Sequence, residues 1–259
     1  MTTLVQLYID KGCARVVFDR AEALNAIDRP TALAFESAIA QAIAADVRVL
    51  TLSGNGRAFV AGGDLAAFRR SDDRAAEAEA IIAPMNRALR QLAESDVLSI
   101  ALLHGPVAGA GLSLALTTDF AIAAESTVMS FAYLKIGAPA DCGITWSLPR
   151  IVGLRRATWI AIEGSSLPAA QALDWGLVNR VVADQDLHDQ GAALAAKLAG
   201  MAPGAAAALK RLLRDSLGRD FATTLEAEKQ AFKTAAGTDD FAEAINAFFE
   251  KRPARFSGR

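Results

Sequence analysis

Residues 47–65, VRVLTLSGNGRAFVAGGDL, decide the fold class. The first part, VRVLTLSG, is an almost continuous apolar run that ends in glycine, which is typical of a strand buried in a parallel sheet. The glycine-rich segment AFVAGGDL follows, and its Asp64 is well placed to cap a helix that begins after it. A buried strand, a glycine-rich loop and a helix start in succession predict one unit of an α/β fold.

The same alternation continues to about residue 190. LVQLYID and ARVVFDR, separated by Lys11 and Gly12, predict a hairpin, and Asp28 with Pro30 marks a helix start. LSIALLHG predicts a second buried strand, GAGLSLALTT a helix and DFAIAA another strand. Only helical patterns follow after that point. We therefore expect residues 1–190 to form a mixed α/β core and residues 191–259 to form a helical C-terminal region.

Composition limits the classes of function. The 259 residues carry a net charge of −2, which gives no reason to expect nucleic acid or a membrane as a partner. Cys13 and Cys142 form no CxxC pair, and neither a signal peptide nor a long apolar span is evident, so we expect a cytoplasmic chain. His104 and His188 are isolated, so we expect no metal site.

Two glycine-rich segments each follow a buried strand and precede a helix. The first, residues 59–65, contains Gly63, and the second, HGPVAGAGL at residues 104–112, contains Ala110. Backbone N–H groups at such turns bind anionic oxygens. If the two strands are neighbours, the loops could aim two N–H groups at one oxygen, as an oxyanion hole for a carbonyl that becomes an enolate. Simple strand-to-helix turns are the alternative interpretation.

A dinucleotide-binding loop is a weaker interpretation of the second segment. The G-x-G-x-x-G pattern requires a small third residue, but Leu114 stands there. This departure argues against a nicotinamide-dependent oxidoreductase.

An oxyanion hole requires an acid, a base or a nucleophile beside it. No triad pattern accompanies His104, Ser113 lies in no G-x-S-x-G elbow, and Cys142 lacks an activating partner. Asp141, in the segment PADCG at residues 139–143, is the remaining candidate. The residues alone leave two interpretations of Asp141 open, the N-cap of the following helix or the group that moves a proton.

Six segments together resemble one family in their order and spacing. They are DRAEALNAI (19–27), AFVAGGDL (58–65), HGPVAGAGLSLALTTDFAIA (104–123), FAYLKIGAPADCGITWSLPRIVG (131–153), DWGLVNRVV (174–182) and EKRPARFSGR (250–259). The chain resembles the crotonase (enoyl-CoA hydratase/isomerase) family over essentially its whole length. The resemblance implies a crotonase-type spiral of ββα units and a helical C-terminal trimerisation region, hence a homotrimer or a dimer of trimers. It also implies an acyl-CoA thioester substrate, with coenzyme A as part of the substrate and no separate cofactor.

The resemblance also implies roles for individual residues. Gly63 and Ala110 match the two oxyanion-hole donors, and Ala110 replaces the usual glycine but keeps its N–H. The substrate-binding positions are matched by Ser113, Tyr133 and Leu134. The CoA-binding positions are matched by Arg20, Ala23, Leu24, Ala61, Asp64, Leu65, Lys251 and Phe256.

Two of these positions depart from the hydratases of the family. Ser113 and Tyr133 stand where those enzymes have catalytic glutamates, and activating a water normally requires such groups. Asp141 matches the single carboxylate of the family's double-bond isomerases instead. We therefore predict an enoyl-CoA isomerase with Asp141 as its acid and base. An enoyl-CoA hydratase, a dehalogenase of the 4-chlorobenzoyl-CoA type and a non-catalytic acyl-CoA-binding protein are the alternatives.

Overall fold

The computed structural model describes residues 4–258. The strands in this range are β1 (Val5–Asp10), β2 (Cys13–Phe18), β3 (Val49–Gly54), β4 (Leu98–Leu103), β5 (Pro106–Ala108), β6 (Phe120–Ala124), β7 (Val128–Ser130), β8 (Leu167–Pro168) and β9 (Arg180–Val182). The helices are α1 (Arg29–Ala44), α2 (Leu65–Arg70), α3 (Arg74–Glu94), α4 (Ala110–Thr117), α5 (Ile144–Val152), α6 (Leu154–Thr158), α7 (Ala169–Asp174), α8 (Leu187–Ala199), α9 (Pro203–Ser216), α10 (Phe221–Ala236) and α11 (Asp239–Glu250). The predicted regions, 1–190 and 191–259, begin at residue 1 and end at residue 259, and both of these residues lie outside the described range.

A six-stranded sheet forms the centre of the fold, in the order β1-β2-β3-β4-β6-β9. β1 and β2 pair antiparallel as the predicted hairpin, and the remaining neighbours pair parallel. Every residue of β3 and β4 is buried, because helices and loops cover both faces of these strands. The α/β class predicted from residues 47–65 is confirmed.

A second sheet contains only short strands, in the order β5-β7-β8. The chain passes from β4 of the large sheet to β5 of the small one and then into α4. It returns as β6 and passes again to β7. This alternation produces the repeated ββα units that the resemblance implied. The small sheet itself was not predicted from periodicity, because its strands have only two or three residues.

The start of α1 shows how local sequence fixes these elements. The Asp28 side chain caps the helix by accepting from the Thr31 amide at 2.9 Å, and a proline lies in the first turn. The buried face of α1 then packs on the sheet, where the rings of Phe35 and Phe18 stack with centroids 5.3 Å apart.

The predicted boundary at residue 190 falls inside α8. This helix packs closely on the large sheet, since a Cβ on Gly191 would lie 2.6 Å from the Leu102 side chain. The next helix, α9, is anchored by buried Lys210, which contacts the Asp119 carboxylate at 3.1 Å and the Val97 carbonyl at 2.6 Å. Burial lowers the pKa of Lys210, and these partners offset part of the cost of burying its charge.

Within residues 4–258, no single helix is long and apolar enough to cross a membrane. One pair, Asp184–Ala199 and Pro203–Ser216, meets that test only when taken together, with a bend of 105° between its members.

Candidate active site

The two glycine-rich loops lie side by side, as the sequence predicted. Val60 and Val107 form a parallel bridge, and the Ala108 amide donates to the Val60 carbonyl at 3.1 Å. A Cβ on Gly111 would lie 2.0 Å from that same carbonyl oxygen. Only a residue without a side chain permits this approach, so Gly111 sets the separation of the loops.

The amides of Gly63 and Ala110 remain available to a bound oxygen. Gly63 bridges to Ile27 through the flanking groups, Gly62 O and Asp64 N, so its own N–H faces the other way. Ala110 is the first residue of α4, where an amide has no acceptor within the helix. Within residues 4–258 neither amide donates to a protein group. Two neighbouring loops therefore each supply one unused donor.

Asp64 anchors the first loop. One carboxylate oxygen caps α2 by accepting from the Ala66 amide at 2.8 Å, which confirms the predicted cap. The other pairs with the Arg20 guanidinium at 2.8 Å, and Arg20 also pairs with Asp28 at 3.3 Å. Burial alone would raise the pKa of Asp64, but Arg20 and the helix amides outweigh it and lower that pKa.

The predicted CoA-binding residues near the N-terminus come together around this loop. The Ala61 amide donates to the Leu24 carbonyl at 3.1 Å. Asn25, fully buried and in the left-handed region at φ +57°, ties the same turn to the following loop. Its side-chain amide donates to the carbonyls of Ala58 at 2.8 Å and Phe59 at 3.1 Å. The residues gathered here are Arg20, Ala23, Leu24, Ala61, Asp64 and Leu65.

Sequence reasoning missed the role of Asn25, although a buried amide in a tight turn is a recognisable signal. The CoA-binding role of Arg20 stays a prediction. Its guanidinium pairs with the carboxylates of Asp28 and Asp64 and so also holds the loop in shape.

The CoA-binding roles of Lys251 and Phe256 stay predictions, and Phe256 lies near the opposite end of β3 from this cluster. The Phe256 carbonyl accepts from Arg48 at 3.2 Å, and Arg48 precedes β3, whereas the loop of Gly63 follows β3. A six-residue strand spans roughly 20 Å. Phe256 instead lines a cavity of about 690 Å³ between α9, α10 and α11, and Lys251 ends α11 as an exposed residue.

Asp141 belongs to a hydrogen-bonded chain of three side chains. The Tyr133 hydroxyl donates to Asp141 Oδ1, and it also lies 2.8 Å from Ser113 Oγ. Ser113 is fully buried on α4, one turn after Ala110, and Tyr133 is nearly as buried, while Asp141 is partly exposed. The chain therefore links the helix that begins at Ala110 to the Asp141 carboxylate.

The cap interpretation of Asp141 does not hold for its side chain. α5 begins at Ile144 after Gly143, which has φ +78°, and no side chain caps that end. The Asp141 backbone carbonyl accepts from the Ile144 amide at 3.3 Å. The carboxylate turns towards Tyr133 instead.

Electrostatics keep the groups around Asp141 in their neutral forms. Burial, with the charge and hydrogen bond of Asp141 added, raises the pKa of Tyr133 well above its ordinary value. Burial and Asp141 likewise raise the pKa of the Cys142 thiol. Tyr133 is thus a proton donor to the carboxylate, and Cys142 is no thiolate nucleophile.

Two other candidates from the sequence lie in different environments. His104 Nε2 lies 3.0 Å from the Gly56 carbonyl, and burial lowers the pKa of His104. Leu134, predicted to bind substrate, is 48% exposed. The described residues include no cluster of three or more His, Cys, Asp and Glu that could hold a metal ion.

Comparisons with known proteins identify the family of this chain. The family model described as enoyl-CoA hydratase/isomerase matches residues 8–259. The chain is 32% identical to 1,2-epoxyphenylacetyl-CoA isomerase of Escherichia coli, with 100% of both chains covered. It is 30% identical to 2,3-dehydroadipyl-CoA hydratase of the same organism, which covers 98% of this chain and 94% of that protein.

The fold gives the same result. The crystal structure of an enoyl-CoA hydratase from Bacillus anthracis matches with a TM-score of 0.93 and 27% identity, covering 99% of this chain and 100% of that chain. With a family model spanning nearly the whole sequence and full-length relatives above 30% identity, the chain belongs to the enoyl-CoA hydratase/isomerase (crotonase) family.

Proposed function

We propose that this chain is an enoyl-CoA isomerase in which Asp141 carries the proton. Asp141 takes a proton from the α-carbon of a 3-enoyl-CoA, and the electron pair moves onto the thioester oxygen as a dienolate. Asp141 then returns the same proton to the γ-carbon. The double bond moves from between C3 and C4 to between C2 and C3, with no net oxidation and therefore no need for a redox cofactor.

The dienolate requires stabilisation of its oxygen. The amides of Gly63 and Ala110 are the proposed donors, because each lies in one of two neighbouring loops and neither donates to a protein group within residues 4–258. Such donors lower the barrier because they are already oriented before charge develops on the oxygen.

The observation that carries the proposal is the environment of Asp141. Its carboxylate accepts from Tyr133, remains partly exposed and does not cap α5. By the resemblance, Ser113 and Tyr133 match the two positions of the hydratase glutamates. Within the described residues the hydrogen-bonded group contains no second carboxylate. One carboxylate is sufficient for a proton shuttle.

The proposed substrate is an acyl-CoA thioester, as family membership supports. We place the adenine end of CoA against the turn that holds Ala23 and Leu24 and against Ala61 of the adjoining loop. Leu65, at the start of α2 and more than half exposed, would flank the same groove. Leu134 would contact the acyl group.

The proposed assembly is a homotrimer or a dimer of trimers. Large apolar side chains lie exposed on the C-terminal helices and near α6, including Phe248 at 78%, Phe249 at 77% and Trp159 at 60%. Exposed aromatic patches of this kind typically mark protein interfaces. Sedimentation equilibrium tests the assembly directly, and a monomer at micromolar concentration would contradict it.

Asp141→Asn tests the chemistry. The variant keeps the shape of the side chain but removes the proton acceptor, so isomerisation of 3-hexenoyl-CoA and exchange of its α-protons in D₂O should both be lost while acyl-CoA binding is retained. Asp189→Asn is the matched control, because Asp189 is exposed on α8. Turnover by Asp141→Asn at the rate of the unaltered chain would rule out the proposal.

Hydration is the second candidate, because relatives of about equal identity include a hydratase. The ultraviolet absorbance of the conjugated enoyl thioester separates the two reactions. It falls if crotonyl-CoA is hydrated and rises if 3-hexenoyl-CoA is isomerised. A chain that binds acyl-CoA tightly without either change or α-proton exchange is a non-catalytic binder.

A further inference from the structure

The number of protons available fixes the direction of the hydrogen bonds that link Ser113, Tyr133 and Asp141. A tyrosine hydroxyl has a single proton, and Tyr133 donates it to Asp141 Oδ1. The 2.8 Å contact between Ser113 Oγ and the Tyr133 hydroxyl oxygen must then be donated by Ser113. Both hydroxyls point their protons towards the carboxylate.

We infer that Tyr133 is the residue that positions Asp141 for proton transfer, by holding Oδ1 so that Oδ2 alone takes and returns the proton. This inference rests on the proposed function. A carboxylate that rotates freely would present either oxygen to the substrate, and each rotation would carry the bound proton away from the reacting carbons. A donor fixed on Oδ1 prevents that rotation.

The backbone around the pair supports a positioning role. Ala132 directly precedes Tyr133 at φ +58°, and Cys142 directly follows Asp141 at φ +52°. Residues with a Cβ rarely adopt this left-handed conformation, which persists only where the surrounding structure enforces it. The two residues that aim the hydroxyl and the carboxylate are therefore both held in conformations that the local sequence does not favour.

Packing holds the Tyr133 ring from the other side. Its ring meets that of Phe131 edge to face, with centroids 5.1 Å apart, and 6% of Tyr133 is exposed. Phe131 itself makes no hydrogen bond to Asp141. Tyr133 supplies both a donor and packing, whereas Phe131 supplies packing alone. Substituting each in turn therefore separates the effect of the hydrogen bond from that of packing.

Tyr133 keeps its own proton beside the carboxylate. Burial and the charge of Asp141 raise the pKa of Tyr133, so its hydroxyl remains a hydrogen-bond donor and does not become a second negative charge. Removing that hydroxyl therefore takes away the hydrogen bond that Tyr133 donates to Oδ1.

The test is the kinetics of 3-hexenoyl-CoA isomerisation by Tyr133→Phe. We expect kcat to fall at least tenfold, on the scale of one charge-assisted hydrogen bond, with KM changed less than about threefold. In this variant Ser113 retains an acceptor, because its Oγ lies 3.3 Å from the Gly109 carbonyl. Ser113→Ala should lower kcat in the same way by a smaller amount.

Phe131→Leu is the matched control, since it loosens the same packing but leaves the donor in place. Its kcat should fall much less than that of Tyr133→Phe. An unchanged kcat in Tyr133→Phe, or an equal fall in Phe131→Leu, would overturn the positioning role. Asp141→Asn in the same assay separates the two proposals. Turnover by Asp141→Asn would rule out the proposed function. If Asp141→Asn is inactive but Tyr133→Phe has the kcat of the unaltered chain, only the positioning role of Tyr133 is ruled out.

Discussion

Replacing Gly111 by alanine should disturb the site without touching any side chain in it. A Cβ at this position would lie 2.0 Å from the Val60 carbonyl oxygen and 2.8 Å from its carbon, whereas ordinary contact begins near 3.4 Å. The two loops must therefore separate by about 1.4 Å, the difference between those distances. The nearest neighbours are mostly backbone atoms, which no change of rotamer can move aside.

In Gly111→Ala the steric clash costs more stability than the better helix propensity of alanine returns. Gly111 lies in the first turn of α4, where alanine gains about 1 kcal/mol over glycine. Overpacking of this kind costs about 3 kcal/mol where the neighbours cannot adjust. We expect a net loss of about 2 kcal/mol of stability. Because Ala110 and Gly63 lie in the displaced loops, a misplacement of about 1 Å should also lower kcat by roughly 100-fold.

Urea denaturation at equal protein concentration and isomerisation kinetics measure the two effects. Gly204→Ala is the matched control, because no atom lies within 4 Å of a Cβ there and the residue is helical and exposed. It should be as stable as the unaltered chain or slightly more so, with kcat unchanged. If Gly111→Ala behaves like Gly204→Ala, the close approach of the loops is not what holds the donors.

Three further predictions concern the surroundings of the site and the C-terminus. Asp64→Ala removes the α2 cap and one partner of Arg20, so the urea midpoint should fall by the equivalent of about 2 kcal/mol, and Asp64→Asn should recover part of it. Hydrogen bonds from Arg252 lower the pKa of Glu243 from 4.5 to about 2, so its stabilisation exists above pH 4.5 and is lost towards pH 2. The stability difference between the unaltered chain and Glu243→Gln should close over that interval. Ala132→Gly should relieve the left-handed conformation and stabilise by up to about 1 kcal/mol in denaturation experiments, yet lower kcat.

Sequence reasoning predicted the elements that carry strong local signals. The buried strands, the hairpin and the capped start of α1 follow from periodicity and from the turn and cap residues, and all appear in the structure. The small sheet could not be predicted in this way, because a strand of two or three residues has no measurable period. β5 even begins at Pro106, inside a segment whose glycines indicate a loop.

The candidate site shows the same difference between features with a local sequence signal and features that depend on the folded chain. Gly63, Ala110 and Asp141 could be proposed from loop chemistry and from the family pattern, since each is a local feature. The hydrogen bond from Tyr133 to Asp141 could not, because it depends on how residues 131–143 turn back on themselves through two left-handed residues with side chains. The distance of Phe256 from the loop of Gly63 also depends on the path of the whole chain.

Membership of the family does not by itself choose between hydration and isomerisation, so the difference must lie in the groups around the enolate. Adding water requires one group to activate the water and another to deliver a proton to carbon. Here Ser113 is fully buried, and the hydroxyl nearest to it, on Tyr133, already donates to Asp141. A carboxylate at position 113 would therefore be buried without a donor and close to a second negative charge, which strongly disfavours its ionised form. Serine at 113 and tyrosine at 133 thus fit each other and Asp141 as one set, and a site with two carboxylates at these positions would require more than one substitution.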